Sequence, residues 1–155
     1  MNTKILALAA IIIIIMGCSK DEYETSPGLK FKEVTATVIP LNAYFKITLE
    51  VTDKEGDIQD SIFIQKFTRT PNCTAGNQAV AKYKMPDFAG TKNLKAEVDI
   101  LFVSNNISAA NAFYLAPGIC GGTRVDTAYF KFWVKDKEKN VSDTVTSPDI
   151  ILLRS

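Results

Sequence analysis

Two stretches of strict alternation constrain this chain more than anything else in it. Phe45, Ile47, Leu49 and Val51 interleave with Lys46, Thr48 and Glu50, while Leu94, Ala96, Val98, Ile100 and Phe102 interleave with Lys95, Glu97 and Asp99. A period of two puts every apolar member of a run on one face, as a strand packed on one side requires. Weaker strand signals surround these two. Residues 31–39 are β-branched and stop at Pro40, residues 62–68 are closed by Pro71-Asn72, and residues 79–85 precede Pro86. Over 127–135 the in-phase Phe130, Phe132 and Val134 point to a buried face. A last strand, 141–145 and 150–153, is broken at Pro148, where a bulge or edge kink is expected. Only 108–114 suggests helix, one or two turns of it.

About seven short strands without helical crossovers predict an all-β fold, a two-sheet sandwich of immunoglobulin or fibronectin type III architecture. Hydrophobic residues make up 46% of the chain, enough for a core. The 18 Lys and Arg nearly balance the 17 Asp and Glu. No net field is left to steer nucleic acid. Histidine is absent. That removes Ser-His-Asp and Cys-His catalysis, His-ligated zinc and a histidine pH switch. No carboxylate pair stands out for glycoside chemistry. The reading is a non-enzyme.

The amino-terminal segment reads as an address. Lys4 precedes an apolar run over 5–16, too short to span a bilayer but suited to the core of a signal peptide. The run ends in Ile15-Met16-Gly17-Cys18, which resembles the lipobox of bacterial lipoproteins. The resemblance implies cleavage before Cys18 and acylation of that residue. Several acyl chains hold a protein on a membrane stably. Ser19-Lys20-Asp21-Glu22 follows and resembles the Lys-plus-acidic-pair export signal (Lys20, Asp21, Glu22) of Bacteroidota surface lipoproteins. A charged stretch that merely keeps a linker solvated is the alternative. The expected layout is a cleaved signal peptide over 1–17, a lipidated tether over 18–28 and the sandwich domain over 29–155.

With Cys18 lipidated, Cys73 and Cys120 remain. In an oxidising compartment a disulfide between them is the expectation, since two thiols this far apart match neither a metal knuckle nor a CxxC motif. In an immunoglobulin-like order the strands next to them, 62–68 and 127–135, are neighbours in one sheet, with both cysteines at the same end.

One internal echo bears on function. Val51-Thr-Asp-Lys-Glu-Gly-Asp-Ile-Gln-Asp-Ser-Ile62 matches Val134-Lys-Asp-Lys-Glu-Lys-Asn-Val-Ser-Asp-Thr-Val145. In the expected topology both segments are connections at one end of the sandwich. Asp53, Glu55 and Asp57 from one, with Asp136, Glu138 and Asn140 from the other, would offer the hard oxygen ligands calcium prefers. Calcium is thus the candidate cofactor, although an EF-hand is excluded because Ile58 and Ile64 occupy its Gly and Glu positions. The alternative is a pair of solvated turns whose Asp, Asn and Gly serve backbone geometry.

Asp60-Ser61-Ile62, Asp126-Thr127-Ala128 and Asp143-Thr144-Val145 resemble the Asp-[Ser/Thr]-aliphatic acceptor of Bacteroidota O-glycosylation, implying Ser61, Thr127 and Thr144 as acceptors. Tyr44, Tyr83, Tyr114 and Trp133 are candidates for stacking on sugar. The region as a whole resembles the immunoglobulin-like domains of small Bacteroidota surface lipoproteins, through its D-x-[DE]-G-D-I turn and its closing D-x-x-x-N-x-S … T-x-x-P-x-I strand. The resemblance implies an outer-membrane lipoprotein facing the cell exterior. Its role would be a non-catalytic module that binds a ligand or a partner outer-membrane protein. Two alternatives stay open: a structural spacer or envelope component, and a glycan-binding accessory of a polysaccharide-uptake system.

Overall fold

The computed structural model describes residues 22–73, 77–104, 113–115 and 125–153. The expected signal peptide, Cys18, Lys20, Asp21 and Cys120 lie outside them. The described residues are all β. One sheet holds β1 (Gly28–Val34), β3 (Tyr44–Asp53), β6 (Leu94–Ser104) and β7 (Phe113–Leu115), in the order β1-β3-β6-β7. The other holds β2 (Val38–Ile39), β10 (Ile150–Leu152), β8 (Asp126–Lys135), β4 (Ser61–Thr68) and β5 (Ala81–Lys84), in the order β2-β10-β8-β4-β5. A short β9 (Val145–Thr146) also pairs with β8.

The alternating runs do what their period predicts. Phe45, Ile47, Leu49 and Val51 are buried on β3, opposite Phe102, Ile100, Val98 and Ala96 of β6. From the facing sheet come Ile62 and Ile64 of β4 and Phe130, Phe132 and Val134 of β8, all buried. Phe102 sits at the middle of this core, stacked on Phe45 at 4.9 Å and tilted against Phe130 at 4.9 Å. Such offset and tilted ring pairs add to the area they bury. The neighbouring pair expected from the sequence is present, β4 running antiparallel to β8 from Ser61↔Lys135 to Thr68↔Ala128.

Three elements differ from the sequence reading. The strand expected over 31–39 is two, because the chain leaves β1 for the other sheet, where β2 pairs parallel with β10. The closing strand breaks around Pro148 as expected, since that residue's missing N–H cannot join a ladder, but its first piece is only the two residues of β9, with a single bridge at Val141 before it. The helix expected over 108–114 is not supported where it can be seen: Phe113–Leu115 is a strand parallel to β6, and the rest of that stretch lies outside the described residues.

Candidate metal centre

The inward face of β3 does not end at Val51. The next residue in phase is Asp53, which is fully buried. Likewise β8 runs Phe130, Phe132 and Val134 inward, and Asp136 follows in the same phase, buried to 1% exposure. Because the two strands face each other across the core, their terminal carboxylates converge at one end of the sandwich. Asp57, half-buried in the turn after β3, joins them. One oxygen from each of Asp53, Asp57 and Asp136 lies within 4.8 Å of the others.

Local hydrogen bonds hold each acid in place. Asp53 Oδ2 accepts the backbone N–H groups of Gly56 (2.5 Å) and Asp57 (3.1 Å), closing the turn. Gly56 has φ +74°, and a Cβ there would come within 2.2 Å of the Thr91 carbonyl oxygen, so only glycine fits. Asp136 accepts the Asn140 backbone N–H at Oδ1 and the Asn140 side-chain NH₂ at Oδ2, each at 2.7 Å. The two loops also touch directly, through Lys137 N–H donating to the Asp57 carbonyl at 3.1 Å.

The electrostatics are one-sided. Asp53 Oδ1 is buried and has no hydrogen-bond partner among the described residues. Among the described residues no Lys or Arg forms an ion pair with any of the three acids. The nearby Lys139 is taken by Asp60 at 3.0 Å, which holds that carboxyl below its ordinary range. Burial pushes the Asp53 carboxyl above its ordinary range, the backbone bonds from Asp57 and Gly56 pull it back, and the charges of Asp57 and Glu55 push it up again.

Of the six calcium ligands expected from sequence, three are thus brought together and three are not. Glu55 is exposed, with an oxygen 3.4 Å from the Thr25 hydroxyl. Asn140 turns its amide to Asp136 and orients that carboxylate. Glu138 is also exposed. The V-x-D phase, two residues on from a buried valine in each echo segment, is the sequence signal that separates the buried acids from the exposed ones.

No protein-family model matches the chain, and no curated protein does. Among solved structures, the sporulation control protein Spo0M from Bacillus subtilis aligns over 84% of this chain at 8% identity, with a TM-score of 0.43. The aligned region is 50% of that protein's chain, so this chain spans about half its length.

The opposite end of the core is built differently. Lys66, in phase with Ile62 and Ile64, pairs with Asp126, the first inward residue of β8, and both are buried. The hydroxyls of Thr68 (2.6 Å) and Thr70 (3.4 Å) donate to the same carboxylate. Asp126 is therefore committed inside the fold beside half-buried Thr127. Ser61 corrects a sequence expectation. It is buried to 1% exposure, although it lies out of phase with inward Ile62 and Ile64, and a folded chain offers no glycan acceptor there. Thr144 is exposed. Cys73 is buried and disulfide-bonded. Its expected partner, Cys120, lies outside the described residues.

Two further surfaces bear on binding. A groove of about 910 Å³ lies between β5 with its following loop and β6. Ile62, Met85 and Phe88 line one wall and Leu94, Val98 and Ile100 the other. Among the described residues, β6 has no strand partner over 94–101 on the side away from β3. Tyr83 is 41% exposed at this groove. On the outer face of β4 and β8, Trp133 stacks on Phe63 at 5.4 Å and Tyr129 on Phe67 at 5.3 Å. Trp133, a candidate for stacking on sugar, is half-buried. Tyr44 is exposed, and the side chain of Tyr114 lies outside what is described.

The tether enters at the acidic end. Glu22 pairs with Lys54 at 3.3 Å, and the Lys54 N–H donates to the Glu24 carbonyl at 3.1 Å. β1 begins opposite Thr52, beside the acidic turn.

Proposed function

We propose that this chain is a bacterial outer-membrane lipoprotein, anchored through acyl groups on Cys18 and displayed outside the cell, whose sandwich is a non-catalytic binding module. The groove between β5 and β6 carries the binding part of this reading. An apolar cleft beside a strand edge that no described residue pairs suits an extended, apolar segment of a partner outer-membrane protein, added to the sheet as a further strand. The lipobox, the export signal and the disulfide expected between Cys73 and Cys120 support a life outside the reducing cytoplasm. With Glu22 docked on Lys54, the link back to Cys18 spans at most about 14 Å. The acidic end then faces the lipid surface and the groove lies along the flank.

The aromatic pairs on the outer face of β4 and β8 favour a second reading, a glycan-binding accessory protein, because the half-buried rings keep part of their surface in solvent, where a sugar can stack. The two readings separate in one set of experiments on intact cells. A photo-crosslinker at Val98 captures an outer-membrane protein, and Val98→Asp, which puts a charge in the groove, abolishes co-purification of that protein. If Trp133→Ala instead removes a specific glycan signal while the Val98 variant is silent, the glycan reading replaces the first. Absence of both signals leaves a spacer, and hydrolysis of any sugar would refute the non-catalytic assignment. Cys18→Ala releases the protein from the membrane. Alanines at Lys20, Asp21 and Glu22 keep it membrane-bound but hide it from added protease, and unchanged surface labelling would reject the export reading.

A further inference from the structure

The two ends of the core treat buried carboxylates differently. At one end the fold supplies its own cation, Lys66, for Asp126. At the other, Asp53 and Asp136 are equally buried, Asp57 stands beside them, and no described Lys or Arg answers them. Buried charges in proteins are paired or coordinate metals, because an isolated one costs several kcal/mol to desolvate. Three acids without a cation form an incomplete set.

We propose that Asp53, Asp57 and Asp136 form a binding site for a divalent cation, with calcium as the ion it fits. One observation carries this independently of the cluster's acidity. Asp53 Oδ1 is buried without a hydrogen-bond donor among the described residues, an acceptor left for an ion or a water to satisfy. The remaining oxygens of Asp53 and Asp136 are held by backbone and amide donors from their own loops, so the carboxylates are oriented before any ion arrives.

The chemistry favours calcium. All ligands are hard oxygens, with no nitrogen or sulfur for a transition metal. The spread of the three oxygens fits within the roughly 5 Å that separates opposite ligands of Ca²⁺ at its usual 2.3–2.6 Å bond lengths. Waters complete the shell from the open side, where Asp57 is half-exposed. A site with three carboxylates on two loops belongs in the weak, extracellular affinity class, about 0.1–1 mM.

The consequence is structural. The ion joins the turn after β3 to the turn after β8, one from each sheet, adding to the Lys137–Asp57 backbone bond. The site does not depend on the function proposed above and stands or falls separately from it.

The test uses the full chain as expressed, stripped with chelator and then titrated with calcium or magnesium chloride. Equilibrium dialysis reads bound metal, and thermal melting reads stability. Calcium is expected to bind with one ion per chain and to raise Tm by about 5 °C near saturation. Asp57→Asn is the decisive variant, because the Asp57 side chain holds no part of the turn, whereas Asp53→Asn risks the fold. Asp57→Asn is expected to lose the calcium response and, in chelator, to melt at or above the parent, since one repelling charge is gone. Asp149→Asn, which only breaks an exposed pair with Arg69, keeps the full response. No bound calcium in the parent, or an undiminished response in Asp57→Asn, would overturn the site. Equal responses to magnesium and calcium would overturn the choice of ion.

Discussion

Lys66 and Asp126 meet inside the protein, on the inward faces of adjacent strands, with both charged groups shielded from solvent. A buried pair is not in itself a large source of stability, but breaking one half of it is costly. Lys66→Met should destabilise the protein by about 3–5 kcal/mol, because Asp126 then keeps its charge without a cation. Lys66→Met combined with Asp126→Leu should recover much of that loss. Urea unfolding of the three proteins measures both numbers, and a single-variant loss below about 1 kcal/mol would show that the pair is solvated in solution.

The turn after β3 gives a second prediction. Gly56→Ala forces a side chain into φ +74° and against the Thr91 carbonyl. Strain and clash together should cost about 2–3 kcal/mol, read as a lower denaturation midpoint at unchanged slope. The same change should loosen the backbone clasp on Asp53, visible as faster hydrogen exchange at Gly56 and Asp57.

Disulfide mapping is the third. Non-reducing mass spectrometry of protein exported to an oxidising compartment should find Cys73 joined to Cys120. That bond closes a loop of about 48 residues and is worth about 4 kcal/mol at most in the chain-entropy model. Cys73→Ala should lower stability by 2–4 kcal/mol. Free thiols at both positions in folded protein would disprove the pairing.

The fourth concerns pH. A hydrogen bond from Lys46, and a second from Thr48, hold the Asp99 carboxyl below its ordinary range. A depressed carboxyl stabilises the folded state above its unfolded pKa, and that contribution is lost as pH falls through the folded value. Asp99 is half-exposed, so the effect is at most about 1 kcal/mol. Thr48→Val should move the Asp99 titration, followed by NMR, back towards the usual carboxylate range.

How much of this was legible in the residues depends on length and phase. The runs that became β3, β6 and β8 were readable because several alternations in a row leave one buried face and no other interpretation. Two-residue strands such as β2 and β9 carry no period, and the three residues of β7 are too few to distinguish strand from helix. At the acidic end, the residue types were visible but their burial was not inferred. The phase was available: Asp53 sits two residues after Val51, and Asp136 two after Val134. Reading them as turn residues hid the fact that they still belong to the inward faces. Ser61 failed for a different reason. The alternation of β4 puts Ser61 on the outer face with Phe63, and nothing local shows that it is buried there. The docking of Glu22 on Lys54 joins distant positions through exposed charges, which no local pattern encodes.

The entry of the tether beside Thr52 has a mechanical consequence. In a chain held at Cys18 and pulled by something bound along the flank, the load enters β1 at Gly28 and is directed along that strand. The hydrogen bonds between β1 and β3 lie across the strands. Tension therefore loads them together, in shear, rather than opening them one at a time from an end. Such a linkage resists force well beyond what its equilibrium stability suggests, and the antiparallel seam from Gly28↔Thr52 to Val34↔Ile47 would act as the clamp between membrane and cargo.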